Sequence, residues 1–227
     1  MASVLFSSFV LAAALVAGVP SAQAASYGSN LVVNGNAEAG LAGWTAYDGT
    51  PLFDAAAYGP NWVQLSEPGP VDRGTSLFVG GSGKAFAAGY QAIDLSANSA
   101  DINTGSVGYS LSGWLGGWTS QTDNALVYVS FVNASGTELA SATLGPMTPE
   151  LRNNTTGLFF TQTSGLLPVG TQQLLVSLSM ERGGGGDNDG YADNLSLTLT
   201  PVPEPGAAAL MLLGLGLLGG AAKRRRA

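Results

Sequence analysis

Trp114-Leu115-Gly116-Gly117-Trp118, followed by Thr119, Ser120, Gln121, Asp123 and Asn124, sets two indole rings beside a run of hydrogen-bonding side chains. Sugar recognition uses this combination: the C–H faces of a pyranose pack on flat rings while polar groups read the hydroxyls. Trp62, Tyr58 and Tyr191 lie in or beside similar glycine-rich and polar segments and extend the set of candidate ligand contacts. The same rings have a blander use, because a Trp between apolar neighbours also fills a core. For this segment core packing of Trp114, with Trp118 at a loop edge, is favoured over a sugar platform.

Two other segments invite chemistry and fail on spacing. In Gly183-Gly184-Gly185-Gly186-Asp187-Asn188-Asp189-Gly190, an EF-hand alignment leaves Gly185 at the first ligand position. It also leaves Ser196 where a bidentate Glu is required. A flexible acidic loop is the better reading. Gly81-Ser82-Gly83-Lys84 lacks the earlier glycine and the nucleotide fold of a phosphate loop.

Composition narrows the rest. The 227 residues include no His and no Cys. That removes Ser-His and Cys-His nucleophile pairs, the common zinc sites and disulfides. A metal would have to be held by oxygen, which points to calcium. Residues 25–205 carry all 15 acids and four bases, a net of −11. A body so charged repels phosphate backbones, and nucleic acid is not an expected partner.

The elements that must position these residues lie between two address-like ends. Val4 to Val19 are apolar or small, and Ala22-Gln23-Ala24 fits the small-x-small cleavage pattern of a secretory signal peptide over 1–24. The region before that run has no Lys or Arg, and an N-terminal membrane anchor is the alternative. At the other end an apolar run of 17 residues, 206–222, precedes Lys223, Arg224, Arg225 and Arg226. As a helix it would span about 25 Å, just short of a hydrocarbon core of ~30 Å. Snorkelling basic side chains make up the difference. The positive-inside rule keeps residues 223–227 in the cytoplasm and the body outside.

With Val202, Pro203, Glu204 and Pro205 before the run, this terminus resembles the PEP-CTERM sorting signal: a motif, one short membrane helix and an arginine-rich end, in that order. The resemblance implies processing by an exosortase-type membrane transpeptidase. It also implies export by a Gram-negative bacterium that makes extracellular polysaccharide. An ordinary tail anchor is the plainer alternative.

The body, 25–200, shows period-2 alternation and little helical periodicity. Leu174, Val176, Leu178 and Met180 share one face, and Leu195, Leu197 and Leu199 alternate with Ser196, Thr198 and Thr200. Residues 125–132 are largely apolar on both faces, as in a central strand. Further strands are expected at 31–33, 43–47, 76–80, 85–94, 107–115, 137–143 and 157–163, separated by Gly-, Asp- and Asn-rich turns. The pattern predicts an all-β antiparallel β-sandwich or jelly roll.

Residues 30–44, Asn-Leu-Val-Val-Asn-Gly-Asn-Ala-Glu-Ala-Gly-Leu-Ala-Gly-Trp, and 189–197, Asp-Gly-Tyr-Ala-Asp-Asn-Leu-Ser-Leu, sharpen this. They resemble the opening and closing strands of galactose-binding-like jelly rolls, the fold of many carbohydrate-binding modules, with Ala37 in place of the usual Phe. Gln91-Ala92-Ile93-Asp94-Leu95 is similar to an internal strand of that fold. The resemblance implies that the first and last strands lie close together and that Glu38 and Asp193 share a structural calcium. The alternative makes Glu38 a solvated turn residue and Asp193 a turn cap. The resulting expectation is an exported, non-catalytic surface or matrix protein associated with exopolysaccharide. A secreted glycan-acting hydrolase is the alternative, disfavoured because no Asp or Glu sits in a motif that fixes a catalytic partner.

Overall fold

Alternation in the sequence becomes two apolar faces turned toward each other. The computed structural model describes residues 25–201. The expected leader (1–24), the Val202–Pro205 motif, the apolar run (206–222) and the basic residues Lys223 to Arg226 lie outside the described residues. Among the described residues no helix is long and apolar enough to cross a membrane.

The strands are β1 (Thr45–Ala46), β2 (Asp54–Ala57), β3 (Ser76–Ser82), β4 (Phe86–Asp94), β5 (Val107–Gly117), β6 (Asn124–Val132), β7 (Glu138–Leu144), β8 (Gly157–Leu166), β9 (Gln173–Glu181) and β10 (Asp187–Pro201). A short helix, α1 (Ser99–Ile102), sits between β4 and β5. One sheet runs β1-β4-β9-β6-β7 and the other β2-β3-β10-β5-β8. The pairings are antiparallel. The chain is therefore the antiparallel β-sandwich that its periodicity predicts.

Leu111, Leu115, Leu195, Leu197 and Leu199 of one sheet meet Val127, Val129, Leu174, Val176 and Leu178 of the other, all fully buried or nearly so. Each such side chain contributes about 1.5–3 kcal/mol on burial. Trp44, Phe53 and Phe78 fill one part of this core edge to face, with ring centroids 5.1–5.7 Å apart. A smaller cluster of Val63, Leu77, Val79, Leu158 and Tyr191 lies on the outer face of the second sheet, beneath the 58–75 loop.

Strand β10 gains one residue against β5. Asp193 faces Trp114, yet Ser196 faces Ser112, so three steps on β10 match two on β5. This is a β-bulge, and Asn194 at its centre has φ 48°. The opening segment locks onto the bulged half. Leu195 N–H donates to Gly35 O (2.9 Å), Leu31 N–H to Leu197 O (2.8 Å), and Asn30 Nδ2 to Leu195 O (3.0 Å). On its other side the Gln91 amide pairs with both backbone groups of Val33, at 2.8 and 2.9 Å. The opening segment thus joins β10 of one sheet to β4 of the other.

Three details differ from the sequence expectation. Residues 31–33 run beside β10 without forming a regular strand, because Asn34 (φ 50°) and Ala37 (φ 59°) turn the chain away. Strand β2 was not expected: its sequence, Asp-Ala-Ala-Ala, lacks alternation, and it pairs with β3 alone at the sheet edge. Only the first half of Gly183–Gly190 is a loop. Asp187 to Gly190 belong to β10, where Asn188 is buried with Nδ2 donating to Met180 O at 3.0 Å.

Candidate functional site

The β10 bulge leaves a concavity on the outer face of the second sheet. It is a cleft of about 430 Å³ lined by Asn30, Asn34, Asn36, Asp72, Asn194 and Ser196, with Trp114 on its wall and Val32 and Leu195 beneath. Strand alternation puts Trp114 here. Leu111, Gly113 and Leu115 face the core, so Ser112 and Trp114 must face outward. Trp114 is only partly buried, and on β8 Phe160, itself exposed, lies beside it at 5.7 Å between centroids. Trp114 packs, partly buried, on the outer cluster of Val63, Leu77, Val79, Leu158 and Tyr191 rather than between the two sheets, and it borders the cleft as well. Its indole stands at the cleft.

The Asn side chains divide into builders and available groups. Asn30 Oδ1 accepts from the N–H groups of Val32 and Leu197, both at 3.0 Å. Asn34 Oδ1 accepts from Ala39 N–H (2.9 Å), while its Nδ2 donates to Gly40 O (2.8 Å) and Ala42 O (3.3 Å). Both are spent on holding the opening segment. Asn36 and Asp72 are exposed, and Asn194 and Ser196 partly so. Asn194 Nδ2 donates to Asp72 Oδ1 at 3.1 Å and sets that carboxylate at the rim.

The two carboxylates singled out for a metal are absent from the cleft lining, though Asp193 is the chain neighbour of Asn194. Glu38 accepts from Thr75 N–H, Ser76 N–H and the Thr75 hydroxyl, all at 2.8 Å. Those bonds hold its carboxyl below the usual range, that from the Thr75 hydroxyl foremost. Asp193 is fully buried. Its Oδ2 accepts from the Tyr58 hydroxyl at 2.5 Å, and its Oδ1 from Asn194 N–H at 2.7 Å. Burial above all, with the charges of Glu38 and Asp72 behind it, pushes the Asp193 carboxyl up to about 7 against the pull of those two bonds. Burial and then the Asp193 carboxyl raise the Tyr58 hydroxyl in turn. Among the described residues no three acidic, His or Cys side chains converge on one point as a metal shell.

The remaining sequence-predicted contacts lie elsewhere. Asp123 is fully buried: Oδ1 accepts from the N–H groups of Gly183 (2.9 Å) and Gly184 (3.0 Å), and Oδ2 from that of Asp189 (2.8 Å). It fastens the 182–189 turn and faces no solvent. Asn124 begins β6 and donates to Thr122 O at 3.1 Å. Tyr191 is fully buried, its hydroxyl donating to Asp189 Oδ1 at 2.6 Å, with Trp62 edge-on to its ring at 6.3 Å. Trp118 packs on the same outer cluster, and its carbonyl accepts from the buried Arg152. Of the rings named from sequence, Trp114 alone lines the cleft. Asn36, Asp72, Asn194 and Ser196 were missed as a group because the bulge that gathers them is a property of pairing.

Residues 201–226 match the PEP-CTERM protein-sorting motif. The chain thus carries a sorting signal of exported proteins, and the match begins at the last residue of β10. No curated protein sequence matches the chain. Among solved structures the body is similar to a family 16 carbohydrate-binding module, at 23% identity and TM-score 0.51, covering 74% of this chain and 99% of that one. It is similar to the enzymatically active domain of bacteriophage CBA120 tailspike protein 4, at 16% identity and TM-score 0.48, covering 75% of this chain and 21% of that one. It is also similar to the xylan-binding CBM22-1 domain of Paenibacillus barcinonensis Xyn10C, at 15% identity and TM-score 0.43, covering 79% and 100%. The jelly roll of carbohydrate-binding modules is the fold of this body.

Proposed function

We propose that the protein is a non-catalytic cell-surface or matrix component of a Gram-negative bacterium. In this reading its sandwich binds extracellular polysaccharide at the β10 cleft. The observation that carries it is the make-up of the cleft: a partly exposed indole, amide and hydroxyl groups, and one carboxylate. Glycoside hydrolysis by the usual routes needs two carboxylates flanking the bond, one as acid and one as base or nucleophile. Asp72 alone lines the cleft, which favours binding over cleavage. A glycan array run beside a reducing-sugar assay on the full-length chain tests this. Saturable binding without sugar release supports it, and sugar release without saturable binding replaces it with a hydrolase.

The tail reading extends the sorting match. Residues 206–222 would cross the membrane until an exosortase-type transpeptidase acts at Val202–Pro205. Lys223 and Arg224 to Arg226 fix the orientation. Replacing Arg224, Arg225 and Arg226 with Ala should impair retention and orientation, read by protease protection of the tail in spheroplasts. Unchanged topology would count against it.

Calcium at Glu38 and Asp193 belongs to the same proposal. Each carboxylate keeps lone pairs beyond its chain hydrogen bonds, and the mutual repulsion of Glu38, Asp72 and Asp193 is relieved by a cation. Backbone carbonyls would complete the shell. A protein that binds calcium only when folded gains about 2.7 kcal/mol at 100 times Kd. At roughly 2–4 °C per kcal/mol, chelation should lower Tm by about 5–11 °C. An unchanged Tm, with no calcium in the purified protein, would remove the metal.

A further inference from the structure

We infer that the β10 cleft selects glycans bearing protonated amino groups over glycans bearing uronate. The inference rests on the cleft being a sugar site and adds the charge class of its ligand.

Asp72 is the one ionisable residue in the cleft lining, and no Lys or Arg joins it. Asn194 Nδ2 occupies its Oδ1, and among the described residues no chain donor reaches its Oδ2. The exposed rim therefore offers a carboxylate oxygen ready to accept an ammonium N–H.

The nearby cation is already committed. Arg73 Nε donates to Pro70 O at 2.9 Å, Nη1 and Nη2 both to Glu67 O at 3.2 Å, and its guanidinium sits 5.2 Å above the Tyr58 ring. The other bases of the body are remote or spoken for. Lys84 pairs with Asp54 at 2.7 Å, Arg152 is buried, and Arg182 Nη1 donates to Gly186 O at 2.8 Å. A uronate placed on Trp114 would meet Asp72 with no counter-ion. An aminohexose there would turn the same repulsion into a charge-assisted hydrogen bond.

The test is equilibrium binding of the full-length chain in detergent to three oligosaccharide probes of matched length: glucosamine oligomers with free amines, their N-acetylated counterparts, and oligogalacturonates. The free-amine probe should bind roughly two- to fivefold tighter than the N-acetylated one, the range of an exposed ion pair, and the uronate weakest. The gap should shrink in high salt. Asp72→Asn should level the amine and N-acetyl probes while retaining the N-acetyl affinity. Asp48→Asn, an equal charge change at the exposed turn after β1, should leave the preference intact and so exclude general attraction to an acidic protein. Uronate binding as tight as amine, or a preference that survives Asp72→Asn, overturns the charge assignment alone. Failure of all three probes, or binding indifferent to Trp114→Ala, overturns the sugar site and the assignment with it.

Discussion

Asp193 is a carboxyl without water, and its proton is linked to stability. Its folded value of about 7 lies above the ordinary carboxylate range. Between those values the folded chain holds a proton that the unfolded chain has released, so stability falls as pH rises. The contribution is complete at low pH and is lost by the time pH passes about 7. Asp193→Asn keeps a neutral side chain there: its amide N–H can donate to the Tyr58 oxygen, and its carbonyl can accept from Asn194 N–H. In chelator, the variant should match the parent near pH 5 and exceed it near pH 8 by about 1–3 kcal/mol, given ~1.4 kcal/mol per pH unit of displacement. Urea midpoints at the two pH values check this, and a difference that does not grow with pH contradicts it. The polar character of Asp193 and Glu38 was plain in the sequence. The burial of Asp193 and the partners of both were not, because Tyr58 reaches Asp193 and Thr75 reaches Glu38 from far along the chain.

Strand β10 and its bulge are the element on which the cleft depends. Two glycines make room for it. A Cβ on Gly35 would lie 2.2 Å from the Leu195 carbonyl oxygen, and one on Gly113 would lie 2.6 Å from Leu195 Cδ2. The first clash is with backbone that cannot swing aside, the second with the end of a side chain. Gly35→Ala should cost about 2–4 kcal/mol, a fall in Tm of several degrees, and Gly113→Ala clearly less. Thermal melts rank them, and the reverse order would show that the opening segment does not pin the bulge. Much of this element was readable beforehand. Alternation in 195–200 predicts its core-facing half, and the likeness of 30–44 and 189–197 to opening and closing strands predicts that they adjoin. The same alternation in 107–115 already places Trp114 opposite Leu111 and Leu115. That outer face carries a small core of its own, so Trp114 packs on buried residues there and still borders the cleft. The register shift opposite Gly113 had no signature in either strand, and neither did the asparagine rim it assembles.

At the scale of the molecule, both ends of the described chain leave the sandwich at one pole. Ala25 exchanges hydrogen bonds with Asn98 at 2.8 and 3.0 Å beside α1, and Pro201 pairs with Val107. Leu166 and Val169 are exposed at that pole, while Ser120 lies past the other end of β5. Four residues separate Pro201 from the apolar run that begins at Gly206, a reach of at most ~18 Å over five Cα steps. A tail anchored as proposed would hold this pole against the bilayer and leave the opposite pole outward. The chain has no Cys, so single Val169→Cys and Ser120→Cys variants can carry a fluorophore. In vesicles holding the full-length chain, a lipid-borne quencher should dim the label at 169 and spare the one at 120. Equal quenching would contradict the anchored geometry.

Sugar binding in the cleft depends on its Trp114 face. Its most direct test is a calorimetric titration of the full-length chain and of Trp114→Ala with the strongest array ligand, with Tm measured on both. Affinity should fall about tenfold or more in the variant, with Tm within a few degrees of the parent. An unchanged isotherm in a folded Trp114→Ala protein would contradict it.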